Sequence, residues 1–226
     1  MSHLAHINSD PLTLSRFLLT PSCNQELGAD AGFTLLMSSI QLACKTISQA
    51  VRKAGITGLY GLDGSVNETG DQVKKLDVLS NDIFKNACTF SRELCVLVSE
   101  EEPEALIIAE NKQGKYCVAT DPLDGSSNID CNVSTGTIFG IYKRRENTDA
   151  SVKDILRPGR ELCCAGYCMY GSSTQLVFTA GNGVHGFTLD PVRDWIVLLV
   201  YHCSYIIVTS LLVDKRWINR PLVNSS

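Results

Sequence analysis

Asp121-Pro122-Leu123-Asp124-Gly125-Ser126-Ser127 is the stretch that decides how this chain is read. Two carboxylates stand three positions apart, and a Gly-Ser-Ser run follows at once. Tyr116 to Thr120, just upstream, is a short apolar run, so the carboxylates are expected to leave the end of a strand. Pro122 has no N–H to donate and a fixed φ, which is expected to end strand pairing there. Asp121, the Leu123 carbonyl and Asp124 then offer hard oxygen ligands of the kind that Mg²⁺ takes. Gly125 lets the backbone approach a ligand closely, and Ser126 and Ser127 add N–H and hydroxyl donors, a suitable seat for a phosphate. Asp-Gly and Ser-rich runs are most often plain turns. The seven residues together, at a strand end with an acidic run upstream, favour a site.

The rest of the composition narrows the field. A chain of 226 residues can bury a sizeable core in one or two domains. The net charge of −4, without a basic block, argues against nucleic acid as a partner. Met1 to Asp10 is polar and lacks an apolar signal-type core, which favours the cytosol. Ten cysteines are scattered through apolar stretches and are expected to be buried, reduced thiols. Cys163, Cys164 and Cys168 have no second Cys/His cluster at zinc spacing, so packing is the better reading of them.

Residues 1–31 are polar and turn-rich and are expected to be at most partly ordered, with a short helical turn at Leu12 to Leu19. Apolar positions from Phe33 to Ala54 recur at helical spacing, with Gly55 as the expected stop. Residues 55–74 hold five glycines and read as a long loop. A second helix is expected from Lys75 to Phe90, with Leu76, Leu79, Ile83, Ala87 and Phe90 on its apolar face and Asp77 in its first turn. Cys95 to Val98 reads as a buried strand that ends in Ser99-Glu100-Glu101-Glu102, and ligands in layered α/β proteins gather at strand ends. Leu106 to Ala109 and Tyr116 to Thr120 are expected to pair as a hairpin. Val133 to Tyr142, Tyr167 to Tyr170, Gln175 to Thr179 and Gly186 to Leu189 supply further strands.

Several of these stretches together carry a resemblance. Thr69-Gly-Asp-Gln-Val-Lys-Lys-Leu-Asp77, Val98-Ser-Glu-Glu101, Asp121-Pro-Leu-Asp-Gly-Ser-Ser-Asn-Ile-Asp130 and Gly136-Thr-Ile-Phe-Gly-Ile-Tyr142 resemble the eukaryotic, class 1 fructose-1,6-bisphosphatase family. Ala50-Val-Arg-Lys-Ala-Gly55 and Ala165-Gly-Tyr-Cys-Met-Tyr-Gly171 fit as well, and the similarity runs from about Leu12 to Pro191. The resemblance implies the N-terminal portion of a layered α-β-α sugar-phosphatase fold. It implies Mg²⁺-dependent hydrolysis of the 1-phosphate of fructose 1,6-bisphosphate, with Mn²⁺ or Zn²⁺ as alternative metals. Glu100, Asp121, the Leu123 carbonyl and Asp124 would bind metal. Glu101 and Asp77 would activate the attacking water, and Asp71 would lie in a loop that closes the site. Asp124, Gly125, Ser126 and Ser127 would hold the phosphate. Thr34, Lys115 and Tyr116 fall at an AMP site of the family, where Asp30 would repel a nucleotide phosphate. Family members resemble tetramers, so a homo-oligomer is implied.

The sequence thus divides into a flexible segment 1–31, a fructose-1,6-bisphosphatase N-terminal domain 32–191 and a divergent apolar tail 192–226. The family's second α/β layer, with its sugar-binding residues, is not recognisable in that tail. Trp195 to Val213 is about 19 residues of mostly apolar sequence, barely a membrane length and weakened by His202, Ser204, Thr209 and Ser210. Rival readings are a related inositol or sugar phosphatase, a non-catalytic metal-binding fragment or subunit of mixed oligomers, and a membrane-tethered form.

Overall fold

The computed structural model describes residues 12–20, 30–57, 62–66, 72–145, 149–181, 183–190 and 195–201. Three helices and ten strands are described: α1 (Leu14–Leu18), α2 (Ala31–Thr57), β1 (Leu62–Val66), β2 (Gln72–Lys74), α3 (Lys75–Phe90), β3 (Leu94–Ser99), β4 (Leu106–Ile107), β5 (Tyr116–Asp124), β6 (Thr135–Lys143), β7 (Cys164–Tyr170), β8 (Thr174–Thr179), β9 (Val184–Leu189) and β10 (Trp195–Tyr201). Eight strands form one mixed sheet in the order β10-β9-β8-β7-β6-β5-β3-β4, and β1 pairs with β2 apart from it. Five consecutive antiparallel pairings join β5 to β10, whereas β3 lies parallel to β5 and antiparallel to β4.

The apolar spacing of the two long helices has its expected effect, with one change of phase. α2 buries Phe33, Leu36, Met37, Ile40, Ala43, Cys44 and Ile47 against the sheet and runs on past Gly55 to Thr57. α3 has the expected bounds, but it buries Leu76, Asp77, Ser80, Asn81, Phe84 and Cys88. Phe90, expected on the buried face, is 85% exposed. The face turned inward includes polar Asp77, Ser80 and Asn81, which an apolar count cannot find.

The main core lies between the helices and one sheet face, with Phe139, Ile141, Leu176, Phe178 and Phe187 from the strands. Leu14 and Leu18 of α1 are buried in it, so this part of the segment expected to be flexible is packed. A smaller cluster of Cys95, Val96, Cys117, Tyr142 and Ile155 includes Val98, Ala119 and Leu162 at its edge, beside the 3₁₀ turns at Val152–Asp154 and Gly159–Glu161.

Four other expectations change. The glycine-rich 55–74 segment contains the paired strands β1 and β2 rather than loop alone. The hairpin between Leu106 to Ala109 and β5 does not form, because β4 pairs with the outer edge of β3. The chain instead passes close beneath the start of β3, where Gly114 N donates to Leu94 O at 2.9 Å and Tyr116 N to Glu93 O at 3.0 Å. A Cβ on Gly114 would sit 2.0 Å from the Glu93 carbonyl carbon, so this crossing requires glycine. Pro122 does not end β5, which continues to Asp124 across an irregularity. Within the expected apolar tail, β10 pairs antiparallel with β9; residues 202–226 lie outside those described.

Among the described residues no helix is long and apolar enough to cross a membrane. The eight described cysteines are free thiols, and all but Cys131 and Cys163 are buried. Cys163 Sγ donates to Ile141 O, and Cys164 and Cys168 lie in the core, which agrees with the packing reading.

Candidate functional site

The carboxylates gather at the C-terminal ends of the parallel pair. The β3–β5 register sets Ser99 opposite Thr120. Glu100 N then donates to Thr120 O at 3.1 Å, which carries Glu100 alongside the start of the Asp121 stretch. Parallel strands deliver their ends to one edge of a sheet. Glu100, Glu101, Asp121 and Asp124 are brought near one another for that reason, although 19 residues lie between the two runs.

Asp121 sits at a break in the β5–β6 ladder. Asp121 is opposite Ile138 and Asp124 opposite Gly136, so three steps on β5 match two on β6. This is a bulge of one extra residue. Leu123 N, which the register passes over, donates to Asp121 Oδ1 at 3.1 Å. Pro122 O accepts from Thr137 Oγ1 at 2.8 Å. Leu123 as a whole residue is 2% exposed. Gly125 follows with φ +81°, a left-handed turn that glycine takes without strain. It starts the 3₁₀ segment Ser126–Cys131, and Gly125 O accepts from Asn128 N at 3.0 Å.

α3 supplies the third side. Asp77, in its first turn, is 3% exposed. One turn on, Asn81 Oδ1 accepts from Ser99 Oγ at 2.7 Å, and Asn81 Nδ2 donates to Glu102 Oε1 at 2.8 Å. Lys85 Nζ lies 2.6 Å from the same Glu102 oxygen and 3.3 Å from Asp82. Chiefly the Lys85 bond holds the Glu102 carboxyl below its ordinary range. This chain of contacts ties the helix to the end of β3 on both sides of Glu100 and Glu101. Sequence reading did not single out Asn81, Ser99 or Glu102. The available signal was spacing: Asn81 stands four residues after Asp77, on the same helix face.

The site carboxyls feel burial and one another. Burial first, then the Asp77 and Glu100 carboxylates, push Glu101 up to about 8. Burial first, then Asp124 and Glu100, push Asp121 up to about 7, against the opposing Leu123 N–H. Like charges and desolvation both disfavour the ionised form. The groups interact through space, yet among the described residues no three His, Cys, Asp or Glu side chains lie close enough together to hold a metal ion as they stand. Asp71 lies outside the described residues.

The remaining expected cluster is at the start of α2. Asp30 Oδ2 accepts from Lys115 Nζ at 2.7 Å, and Asp30 Oδ1 accepts from Tyr116 OH at 3.0 Å and Phe33 N at 3.1 Å. Thr34 is half-buried in the first turns of α2, with its carbonyl bonded by Ser38 Oγ at 2.7 Å.

These features define a mixed-sheet α/β domain with a carboxylate-lined edge at its parallel strand pair. A family profile described as "Fructose-1-6-bisphosphatase, N-terminal domain" matches residues 12–199. The cytosolic fructose-1,6-bisphosphatases of Brassica napus and Arabidopsis thaliana are each 52% identical, over 84% of this chain and 56% of theirs. The crystal structure of Leishmania major fructose-1,6-bisphosphatase in holo form superposes with a TM-score of 0.77 at 42% identity, covering 84% of this chain and 59% of that one. The chain belongs to the fructose-1,6-bisphosphatase family. It spans about half the length of the curated relatives it matches. The matched region runs to residue 199, past the expected boundary at Pro191 and into β10.

Proposed function

We propose that this chain carries the metal- and phosphate-handling half of a cytosolic fructose-1,6-bisphosphatase, which releases the 1-phosphate of fructose 1,6-bisphosphate to give fructose 6-phosphate. The observation that carries the reading is the placement of Glu100, Glu101, Asp121 and Asp124 at the ends of one parallel strand pair. Their mutual charge, felt at Glu101 and Asp121, supports it. The residues fit a divalent cation: the donors are all hard oxygens, and a cation would offset the charge they share. Glu100, Asp121, the Leu123 carbonyl and Asp124 would hold Mg²⁺. When bound, such an ion lowers the pKa of water and offsets phosphate charge.

The chain's own residues do the rest. Glu101, with its carboxyl raised to about 8, holds or takes a proton near neutral pH, which suits general acid–base work on the attacking water. Asp77 is the second member of that pair, fixed by its place in α3. Gly125, Ser126 and Ser127, which follow the bulge directly, hold the phosphate being released. A homo-oligomer is part of the same proposal. Lys115 and Tyr116 are engaged by Asp30, whose charge repels a nucleotide phosphate, so AMP binds weakly if at all.

The test is phosphate release from fructose 1,6-bisphosphate by the purified chain with Mg²⁺, beside Asp121→Ala and Glu101→Gln. Because the sugar-binding layer is not recognisable in this chain, slow release that both substitutions abolish is the expected result. No release above those controls overturns the catalytic reading for this chain.

A further inference from the structure

The β5–β6 register passes over Pro122 and Leu123, and a buried pair of hydroxyls meets the Pro122 carbonyl. Thr137 is the β6 residue between Gly136 and Ile138, opposite the extra residue of β5. Its Oγ1 donates to Pro122 O at 2.8 Å. The Tyr170 hydroxyl, from β7, lies 2.6 Å from the same Thr137 Oγ1. Thr137 has one proton to give, and it is committed to Pro122 O; Tyr170 is therefore the donor to Thr137. Thr137 is 0% and Tyr170 6% exposed, so water does not substitute for either contact. Tyr170 is itself enclosed by Cys44 of α2 and Cys168 of β7, and burial keeps its phenol protonated and able to donate.

The geometry points to Thr137 and Tyr170 as positioning residues for the carboxylate bulge. They form a two-hydroxyl relay that fixes the Pro122 peptide, and through it the directions of Asp121, the Leu123 carbonyl and Asp124. The extra residue of a bulge is left unpaired and the ladder around it is disrupted, so ladder bonds alone do not fix its peptide. The relay supplies the missing side-chain tie to Pro122 O. Thr120 Oγ1, bonded to Ile138 O at 2.8 Å, holds the strand on the other side of Asp121. Neither Thr137 nor Tyr170 touches the site, and their role is to set the angle at which its oxygens leave the sheet.

This inference rests on the proposed metal site, and its test separates the two. Mn²⁺ binding to the full chain is measured by titration calorimetry for the wild type, Asp121→Asn, Thr137→Val, Thr137→Ser and Tyr170→Phe. Losing a group that orients a metal ligand costs about 10- to 100-fold in affinity. Thr137→Val, which keeps the side-chain shape, is therefore expected to raise the Mn²⁺ Kd at least about tenfold, and Thr137→Ser to leave it within about twofold. Tyr170→Phe leaves the Thr137 bond in place but without its donor, and raises Kd by less. It also stands in should Thr137→Val fail to fold by circular dichroism. A purely packing role would lower the thermal midpoint of Thr137→Val and Tyr170→Phe and leave Kd unchanged, which overturns the inference while the metal site stands. A wild type that binds no Mn²⁺, or no more tightly than Asp121→Asn, overturns the metal site and the inference with it.

Discussion

Asp30→Asn removes one charge from the start of α2 and leaves the shape of the cap. Asn caps helices about as well as Asp, so the Phe33 N–H keeps an acceptor. What is lost is the ionic partner of Lys115 and the charged acceptor of Tyr116. The Lys115 hydrogen bond above all, with help from Tyr116 and Phe33 and against some desolvation, lowers the Asp30 carboxyl from 3.8 to about 2. At 1.36 kcal/mol per pH unit that fall corresponds to about 2 kcal/mol. With 32% of the side chain in water, solvent screening reduces it to about 1 kcal/mol. The sign follows from linkage: a carboxyl whose folded pKa lies below its unfolded value stabilises the fold above pH 3.8, and loses that contribution as pH falls through about 2. Urea unfolding of wild type and Asp30→Asn, in steps from about pH 6 down to about pH 2.5, reads the difference directly. The gap is expected to be about 1 kcal/mol at the upper end and to close towards the lower. A gap that does not change with pH, or that widens in acid, refutes the ionic account of this contact.

Three further outcomes are expected. Asp121→Asn removes a charge that burial and two neighbouring carboxylates disfavour, so near neutral pH it should raise the thermal midpoint of the metal-free chain and abolish any rise produced by Mg²⁺; a lower midpoint without metal would contradict the repulsion described for this site. Gly114→Ala forces a Cβ to about 2 Å from the Glu93 backbone, where no side chain can yield, and should abolish the soluble folded chain; native circular dichroism from that variant would refute the close crossing. Glu102→Ala leaves Asn81 and Lys85 without their shared acceptor and should cost about 1–3 kcal/mol, measured by denaturant midpoint, whereas Glu104→Ala on the exposed loop nearby should change little.

Much of the site was readable before the fold was known because its members come in short runs. Asp121 to Ser127 and Glu100-Glu101 each carry their chemistry within a few residues, and a strand before each run places it at a sheet edge. The two long helices were readable from spacing alone. The failures have a common cause. The β4 partner, the Gly114 crossing and the phase of α3 are set by contacts between segments far apart in the chain. Phe90 looked buried because it continues an apolar stripe, yet the inward face of α3 turns towards Asn81 and Asp77, where polar side chains meet the end of β3. Thr137 and Tyr170 gave no signal at all, since each is an ordinary strand residue until the bulge opposite needs a donor.

The order of strands also has a kinetic meaning. From β5 to β10 each strand lies beside the next in the chain, so that part of the ladder can grow by successive local hairpins. β3 breaks the order, because its parallel partner begins only after β4 has been laid on its other side. That pairing is a non-local closure, the kind of step that slows folding. Glu100 and Asp121 sit on opposite sides of it, so the slow step is also the one that drives like charges together. A divalent cation present during refolding is therefore expected to raise the refolding rate itself, beyond any effect on the finished fold.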